Sequence, residues 1–297
     1  MLHRELVAVE YELHSMTQPG GILHRDSSIA TFHVGKPMAS SRVRPFRLLL
    51  DEAMTDFEGD ISEDGRGEIV FTAGPPGAGK STMVRESEVG APGWRVIDPD
   101  AIKVKLLTQI IEMEPYANLL ARTLSDGHPL MVNELSSLVH NESVLLADRL
   151  IERCLEAHEN IVIEGTFSWG GLPKRYLRLL NQYDYHAVTL IDVELDQESA
   201  LNRTYSRWAN GRMLAIQENT IQGGRYTPRG AVTSNYADNG IFSLCNKNAV
   251  DFFNATEAEN FADLKLVVQQ ASSDNVGVVY RRAMGAYESA VPTYLDM

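Results

Sequence analysis
Cysteine is nearly absent from the chain. Cys154 and Cys245 are the only two, and they lie far apart. Neither belongs to a Cys-x-x-Cys pair or a Cys/His cluster, which argues against a disulfide framework and a structural zinc site. Long apolar runs are missing as well. No window approaches about 18 uninterrupted apolar residues, so no transmembrane helix is expected. The opening stretch MLHRELVAVEYELH carries acids inside its apolar pattern and lacks a signal-peptide core. These absences fit a reducing cytoplasm and no membrane role. Positive charge is scarce too: 27 Lys and Arg stand against 40 Asp and Glu, a formal net charge of −13. Such an excess repels a phosphate backbone and argues against nucleic-acid binding. A site for a small anion must then be built locally, from a few arginines, lysines and backbone amides.

The bulk composition, 44% apolar and 23% charged over 297 residues, is that of a globular chain with ample core. Residues 1–45 show mixed polarity with breakers at Pro19-Gly20-Gly21 and Lys36-Pro37. Pro45–Met54 has the pattern of a short amphipathic helix, and EGDISEDGRG at 58–67 reads as a loop or linker. Residues 1–66 are therefore expected to be an extension, and 67–297 the main domain. From Glu68 the pattern alternates. Strands are expected at 68–73, 94–97, 161–163 and 187–193. Helices are expected at 80–89, 101–111, 134–158, 172–180 and 197–208, and a further strand near 276–280. Strands that alternate with helices imply an α/β fold with a parallel sheet and helices on both faces. Ligands of such sheets bind beyond the carboxyl ends of the strands.

Directly after the first of these strands comes Gly74-Pro75-Pro76-Gly77-Ala78-Gly79-Lys80-Ser81-Thr82, which fits the phosphate-loop pattern in full. The glycines let backbone N–H groups turn inward around phosphate oxygens, and the helix N-terminus adds its dipole. Lys80 suits the β- and γ-phosphates, and Ser81 offers a hydroxyl to Mg²⁺. ATP or GTP is the expected nucleotide.

The second strand ends in Asp98-Pro99-Asp100. A carboxylate there can accept the proton of an attacking hydroxyl, or it can cap the following helix. The reading favours Asp100 over Asp98 as the base. The third strand ends in Glu164-Gly165-Thr166. Glu164 suits a contact around Mg²⁺ or water, or a hydrogen bond to nearby backbone, and Thr166 suits orientation of substrate or nucleotide. Glu142, in His140-Asn141-Glu142-Ser143, has the pattern of a solvated helix residue, and His140 that of a structural one. Between 203 and 229 lie Arg203, Arg207, Arg212, Arg225 and Arg229, broken by Gly211 and Gly223-Gly224. This segment reads as an arginine-bearing lid over a transferring phosphate, since the guanidinium fork takes phosphate oxygens in pairs.

The series Gly74–Ser81, Ile97–Lys103, His140-x-Glu142-Ser143, Val162–Thr166, Arg203-x-x-x-Arg207-Trp208 and Gly224-Arg225-Tyr226 resembles, in order and spacing over about 68–230, the zeta toxins of bacterial toxin–antitoxin systems. The resemblance implies a P-loop kinase that uses ATP or GTP with Mg²⁺ to phosphorylate the 3′-hydroxyl of the amino sugar in UDP-N-acetylglucosamine, blocking a cell-wall precursor. It implies Lys80 and Ser81 on the nucleotide phosphates and Mg²⁺, and Asp100 as general base. Glu142, Glu164 and Thr166 would meet the substrate, and Arg207 and Arg225 the phosphates during transfer. It also implies inhibition by a small antitoxin, a task that the N-terminal extension could perform within the chain. Two other readings stand beside this one. One is a phosphotransferase for another acceptor, such as a different UDP-sugar, an antibiotic or a nucleotide. The other is a nucleotide-hydrolysing switch.

Overall fold
The computed structural model describes residues 2–55, 67–86, 93–237, 242–256, 263–271, 278–283 and 286–287. The linker expected at 58–67 falls outside them except for Gly67. So do the end of the helix expected at 80–89 and the start of the strand expected at 276–280. The chain forms two compact units, Met1–Glu52 with Pro99–Asp148 and Asn202–Ala231, and Ala53–Asp98 with Arg149–Leu201 and Val232–Met297.

The second unit carries the sheet. Strands β1 (Glu68–Ala73), β2 (Arg95–Ile97), β3 (Ile161–Ile163), β4 (Ala187–Glu194), β5 (Asp263–Gln270), β6 (Val278–Ala283) and β7 (Ala286–Tyr287) align in the order β2-β3-β1-β4-β5-β6-β7. The first five are parallel, and β6 and β7 close the far edge antiparallel. In β1 every residue after Glu68 is buried, as a strand covered on both faces requires. Alternate side chains serve opposite layers. Phe71 meets Tyr176 of α7 (Leu172–Gln182) and Phe252 of α10 (Leu244–Ala255) at ring separations of 4.4 and 5.8 Å. Val70 instead joins a cluster with Val84 of α3 (Lys80–Glu86), Val162, Ile191 and Val232. The expected α/β fold with helices on both faces is what forms.

The first unit is helical. Its core includes Leu6, Val9, Leu13 and Met16 of α1 (Leu2–Thr17), spaced three and four apart so that they share one helix face. Each fully buried leucine contributes about 1.5–3 kcal/mol. This helix was not expected from the mixed polarity of residues 1–45; the breaker Pro19-Gly20-Gly21 lies just beyond its end, where the Thr17 hydroxyl donates to the Leu13 carbonyl at 2.9 Å. Helix α2 (Ser40–Thr55) runs past both ends of its expected span and takes Pro45 into its first turns. Helices α4 (Pro99–Ile110) and α5 (Tyr116–Leu120) follow.

The single helix expected at 134–158 is two elements, a 3-10 helix at Val132–Val139 and α6 (His140–Glu156). The cause is Glu134. Its carboxylate accepts from the Met131 N–H at 2.9 Å and from Trp208 Nε1 at 2.9 Å, which holds the tighter turns in place. Trp208 belongs to α8 (Gln197–Glu218), which extends ten residues beyond its expected end at Trp208.

After α8 the chain returns along it. Val132 and Asn133 donate their N–H groups to the Ile221 and Gln222 carbonyls, each at 2.9 Å. Gly224 passes so near α8 that a Cβ there would sit 2.1 Å from the Trp208 carbonyl oxygen. Only glycine permits this approach. Gly224→Ala is expected to destabilise the fold by about 1–3 kcal/mol in chemical denaturation. Gly230→Ala, where an added Cβ meets nothing within 4 Å, should leave the midpoint nearly unchanged.

Candidate active site
The nucleotide side belongs to the sheet-bearing unit. β1 lies between β3 and β4, so the loop that leaves it starts where the sheet's connections diverge to either side. The Gly74 N–H donates to the Thr166 carbonyl at 3.0 Å. At φ +127, and with the Val193 carbonyl oxygen 2.1 Å from where a Cβ would lie, position 74 admits only glycine. Pro75 to Gly79 then curl into α3, whose first residues are Lys80, Ser81 and Thr82. Lys80 Nζ donates to the Gly74 and Pro75 carbonyls at 2.8 and 2.9 Å, so its cation is folded over the loop. Behind it stand Asp192 and Glu194 of β4. Burial holds both carboxyls above the usual range; the Glu194 charge adds to the rise at Asp192, whereas at Glu194 hydrogen bonds from Ser243 and Asp192 oppose it, and Lys80 opposes it at both.

Ser81 Oγ donates to Glu164 Oε2 at 2.6 Å. Thr166 contributes its carbonyl to the loop and pairs its hydroxyl with Ser168 at 2.9 Å. A hydroxyl and a carboxylate make an all-oxygen donor set that suits Mg²⁺ held jointly with nucleotide phosphates. Among the described residues no cluster of three or more His, Cys, Asp or Glu could hold a metal by itself. Ser81 and Glu164 would thus fit a Mg²⁺ shared with nucleotide phosphates rather than one held by side chains alone.

The other chemical cluster belongs to the helical unit. Asp100 is in the first turn of α4. Its Oδ1 receives Lys103 Nζ at 3.0 Å and its Oδ2 receives Arg225 Nη1 at 2.8 Å. Burial acts against the charged form, but Lys103, Arg225 and then Arg207 overcome it and bring the Asp100 pKa down to about 2. Because this lies below the ordinary carboxylate value, the stabilisation it represents is present above about pH 4 and lost as pH falls toward 2.

Arg207 projects from α8 and donates to Thr227 Oγ1 at 3.4 Å. Loss of hydration, then the Arg225 guanidinium, lower its pKa, and Asp100 raises it. The structure thus brings Asp100, Arg207 and Arg225 close to one another. Lys103 joins them, and it was quoted in the motif without a role. The signal was present, since Lys103 stands three residues after Asp100, on the same helix face.

Glu142 has a different environment from the solvated one its pattern suggested. It is wholly buried and takes a bidentate grip from Arg42 of α2, with Nε at 3.2 and 3.1 Å and Nη2 at 2.8 Å. Arg42 Nη2 also reaches Gln109 at 3.2 Å. His140 is half-buried. Burial, then Lys103 and Arg25, push its pKa to about 4, so it is neutral near pH 7.

A glycine-rich phosphate loop between a parallel strand and a helix defines the class: a P-loop protein. The zeta toxin family model matches residues 51–239, and the chain belongs to that family. The AvrRxo1-ORF1:-ORF2 structure with ATP superposes with a TM-score of 0.53 at 16% identity, covering 84% of this chain and 70% of that one. The PezAT chromosomal toxin–antitoxin system of Streptococcus pneumoniae gives 0.51 at 18% identity, covering 82% and 81%. At these identities the likeness speaks for the fold. No curated protein sequence matches the chain. The kinase class follows from the family.

The neutral state of His140 can be checked directly. Its ring protons in an NMR titration should show a midpoint near 4, well below the ordinary histidine value. Lys103→Met should move that midpoint upward, because it removes the positive charge that lowers it most.

Proposed function
We propose that this kinase transfers the γ-phosphoryl group of ATP or GTP to a hydroxyl of a small anionic acceptor, first of all the 3′-hydroxyl of the amino sugar in UDP-N-acetylglucosamine. The observation that carries the reading is the Asp100 carboxylate with Lys103 and Arg225 on separate oxygens. A hydrolytic switch needs a carboxylate that positions water. Here the carboxylate is flanked by guanidinium groups suited to a phosphoryl group passing to a bound hydroxyl.

A carboxylate offers about four lone-pair sites. In the proposed reaction an acceptor hydroxyl would hydrogen-bond to one of the Asp100 oxygens. With its pKa near 2 it is a weak base. In a loose transition state that suffices, because the hydroxyl proton is lost late and the main task is orientation. The bond between the bridging oxygen and the γ-phosphorus breaks and the acceptor oxygen bonds to that phosphorus. The hydroxyl proton passes to Asp100, and the nucleoside diphosphate leaves. Lys80 answers charge on the β- and γ-phosphates, and Arg207 and Arg225 answer charge on the moving group. When bound at Ser81, with Glu164 behind it, Mg²⁺ would supply further charge neutralisation.

Thr166 is assigned to orienting substrate. Glu142 would meet the acceptor only by exchanging Arg42 for a sugar hydroxyl. A small antitoxin is the proposed inhibitor, in keeping with the toxin–antitoxin system named for the PezAT relative. No described helix is long and apolar enough to cross a membrane.

The test is mass spectrometry of acceptor panels incubated with protein and Mg-ATP or Mg-GTP. UDP-N-acetylglucosamine should gain one phosphate with wild type. Asp100→Asn should bind nucleotide yet transfer at least about a hundredfold more slowly. Lys80→Ala should be inactive. Hydrolysis of ATP at full rate without any acceptor would favour the switch instead.

A further inference from the structure
Glu10 of α1 is almost wholly buried, and three donors converge on it. Arg229 gives Nε to Oε1 at 2.8 Å and Nη2 to Oε2 at 2.7 Å, and the Tyr226 hydroxyl donates to Oε1 at 3.2 Å. All three donors come from the stretch that carries Arg225, and Tyr226 is its immediate neighbour. Arg229 also lies over the Tyr11 ring, 5.8 Å from its centroid. The Tyr226 ring is buried and meets Trp208 edge-on at 5.8 Å.

The stretch from 221 to 229 is thus fastened at three places. The 3-10 helix holds 221–223 by the two backbone bonds already described and by Asn133 Nδ2 to the Gly223 carbonyl at 2.9 Å. Helix α8 holds Gly224 by close contact. Helix α1 holds Tyr226 and Arg229. Arg225 sits between the last two fastenings with its guanidinium on Asp100.

We propose that Glu10 is a positioning residue for phosphoryl transfer: by clamping Tyr226 and Arg229 it fixes the backbone on both sides of Arg225 and so aims that guanidinium at Asp100. The N-terminal extension then works as a part of the acceptor-side machinery. This role rests on the kinase reading above.

The energetics support a structural clamp with a chemical consequence. A carboxylate this buried needs its charge answered, and Arg229 answers it with two charge-assisted bonds while keeping half of its own side chain in water. Removing Glu10 leaves Arg229 able to hydrate. It takes one partner from the buried Tyr226 hydroxyl and leaves Thr17 as the other, which loosens the 226–229 stretch rather than collapsing the core. A guanidinium displaced by about 1 Å from a transferring phosphoryl group can lose on the order of a hundredfold in rate.

The experiment compares wild type, Glu10→Ala, Glu10→Gln, Arg225→Ala and the Glu10→Ala/Arg225→Ala double variant in full-length protein. Transfer kinetics, hydrogen exchange and the unfolding midpoint are measured on each. Glu10→Ala should lower kcat by about ten- to a hundredfold, with the nucleotide KM held within about twofold. Glu10→Gln keeps a carbonyl acceptor for the clamp and should recover part of the rate. On the Arg225→Ala background, Glu10→Ala should cost little more, because both act through one guanidinium. Exchange at residues 222–230 should quicken while residues 203–212 stay protected.

Unchanged exchange at 222–230 in Glu10→Ala would overturn the proposal. So would losses from the two single variants that multiply in the double. If wild type phosphorylates no acceptor, the kinase reading fails, and the exchange measurement still decides whether Glu10 holds this stretch.

Discussion
An arginine removed wholly from water must have its donors answered, and Arg212 is such a residue. Asp126 takes Nε and Nη2 at 2.8 Å each, and Glu134 takes Nη1 at 2.9 Å with both oxygens. The Pro129 carbonyl stands at 3.3–3.4 Å. Breaking such a pair costs several kcal/mol, because a bare charge would remain in the interior. The network therefore permits one arrangement of the 126–134 segment against α8. Glu134 passes the constraint on to the Met131 N–H and the Trp208 indole. Trp208 in turn presents the carbonyl against which Gly224 rests. The route from one buried charge to the position of Arg225 is a chain of close contacts with little slack.

This changes the physical picture of the arginine-rich segment. A lid would be loosely anchored and its arginines solvated until closure. Here Arg225 already neutralises Asp100, and the backbone around it is held by the 3-10 helix, α8 and α1. Charges that stabilise a transition state are most effective when oriented beforehand, since no reorganisation is then needed during the reaction. The same pairing keeps the Asp100 carboxylate ionised. In the proposed reaction Asp100 would orient a hydroxyl rather than remove its proton early.

Much of the phosphate-binding side was legible in the sequence. Strand, glycine-rich loop and helix occur in order within a few residues, and their chemistry is carried largely by backbone. The Asp98-Pro99-Asp100 corner and the Glu164-Gly165-Thr166 strand end were legible for the same reason: a parallel sheet delivers the residues after its strands to one edge. Helix α1 was missed although Leu6, Val9, Leu13 and Met16 mark its buried face, because Glu5, Glu10, Glu12 and two histidines interrupt the apolar pattern. Glu10 could not be read as a buried acid, since its partners lie more than two hundred residues away.

By itself the sequence determined the α/β class and the glycine-rich loop, and it offered the charged candidates Asp100, Arg207 and Arg225, because these depend on short-range pattern and on backbone geometry. Only the tertiary structure decided how those charges are paired. It joined Asp100 to Arg225, removed Glu142 from solvent under Arg42, and fastened Glu10 to Tyr226 and Arg229. Ion pairing depends on distance and burial, and for residues a hundred or more positions apart neither exists until the core has closed.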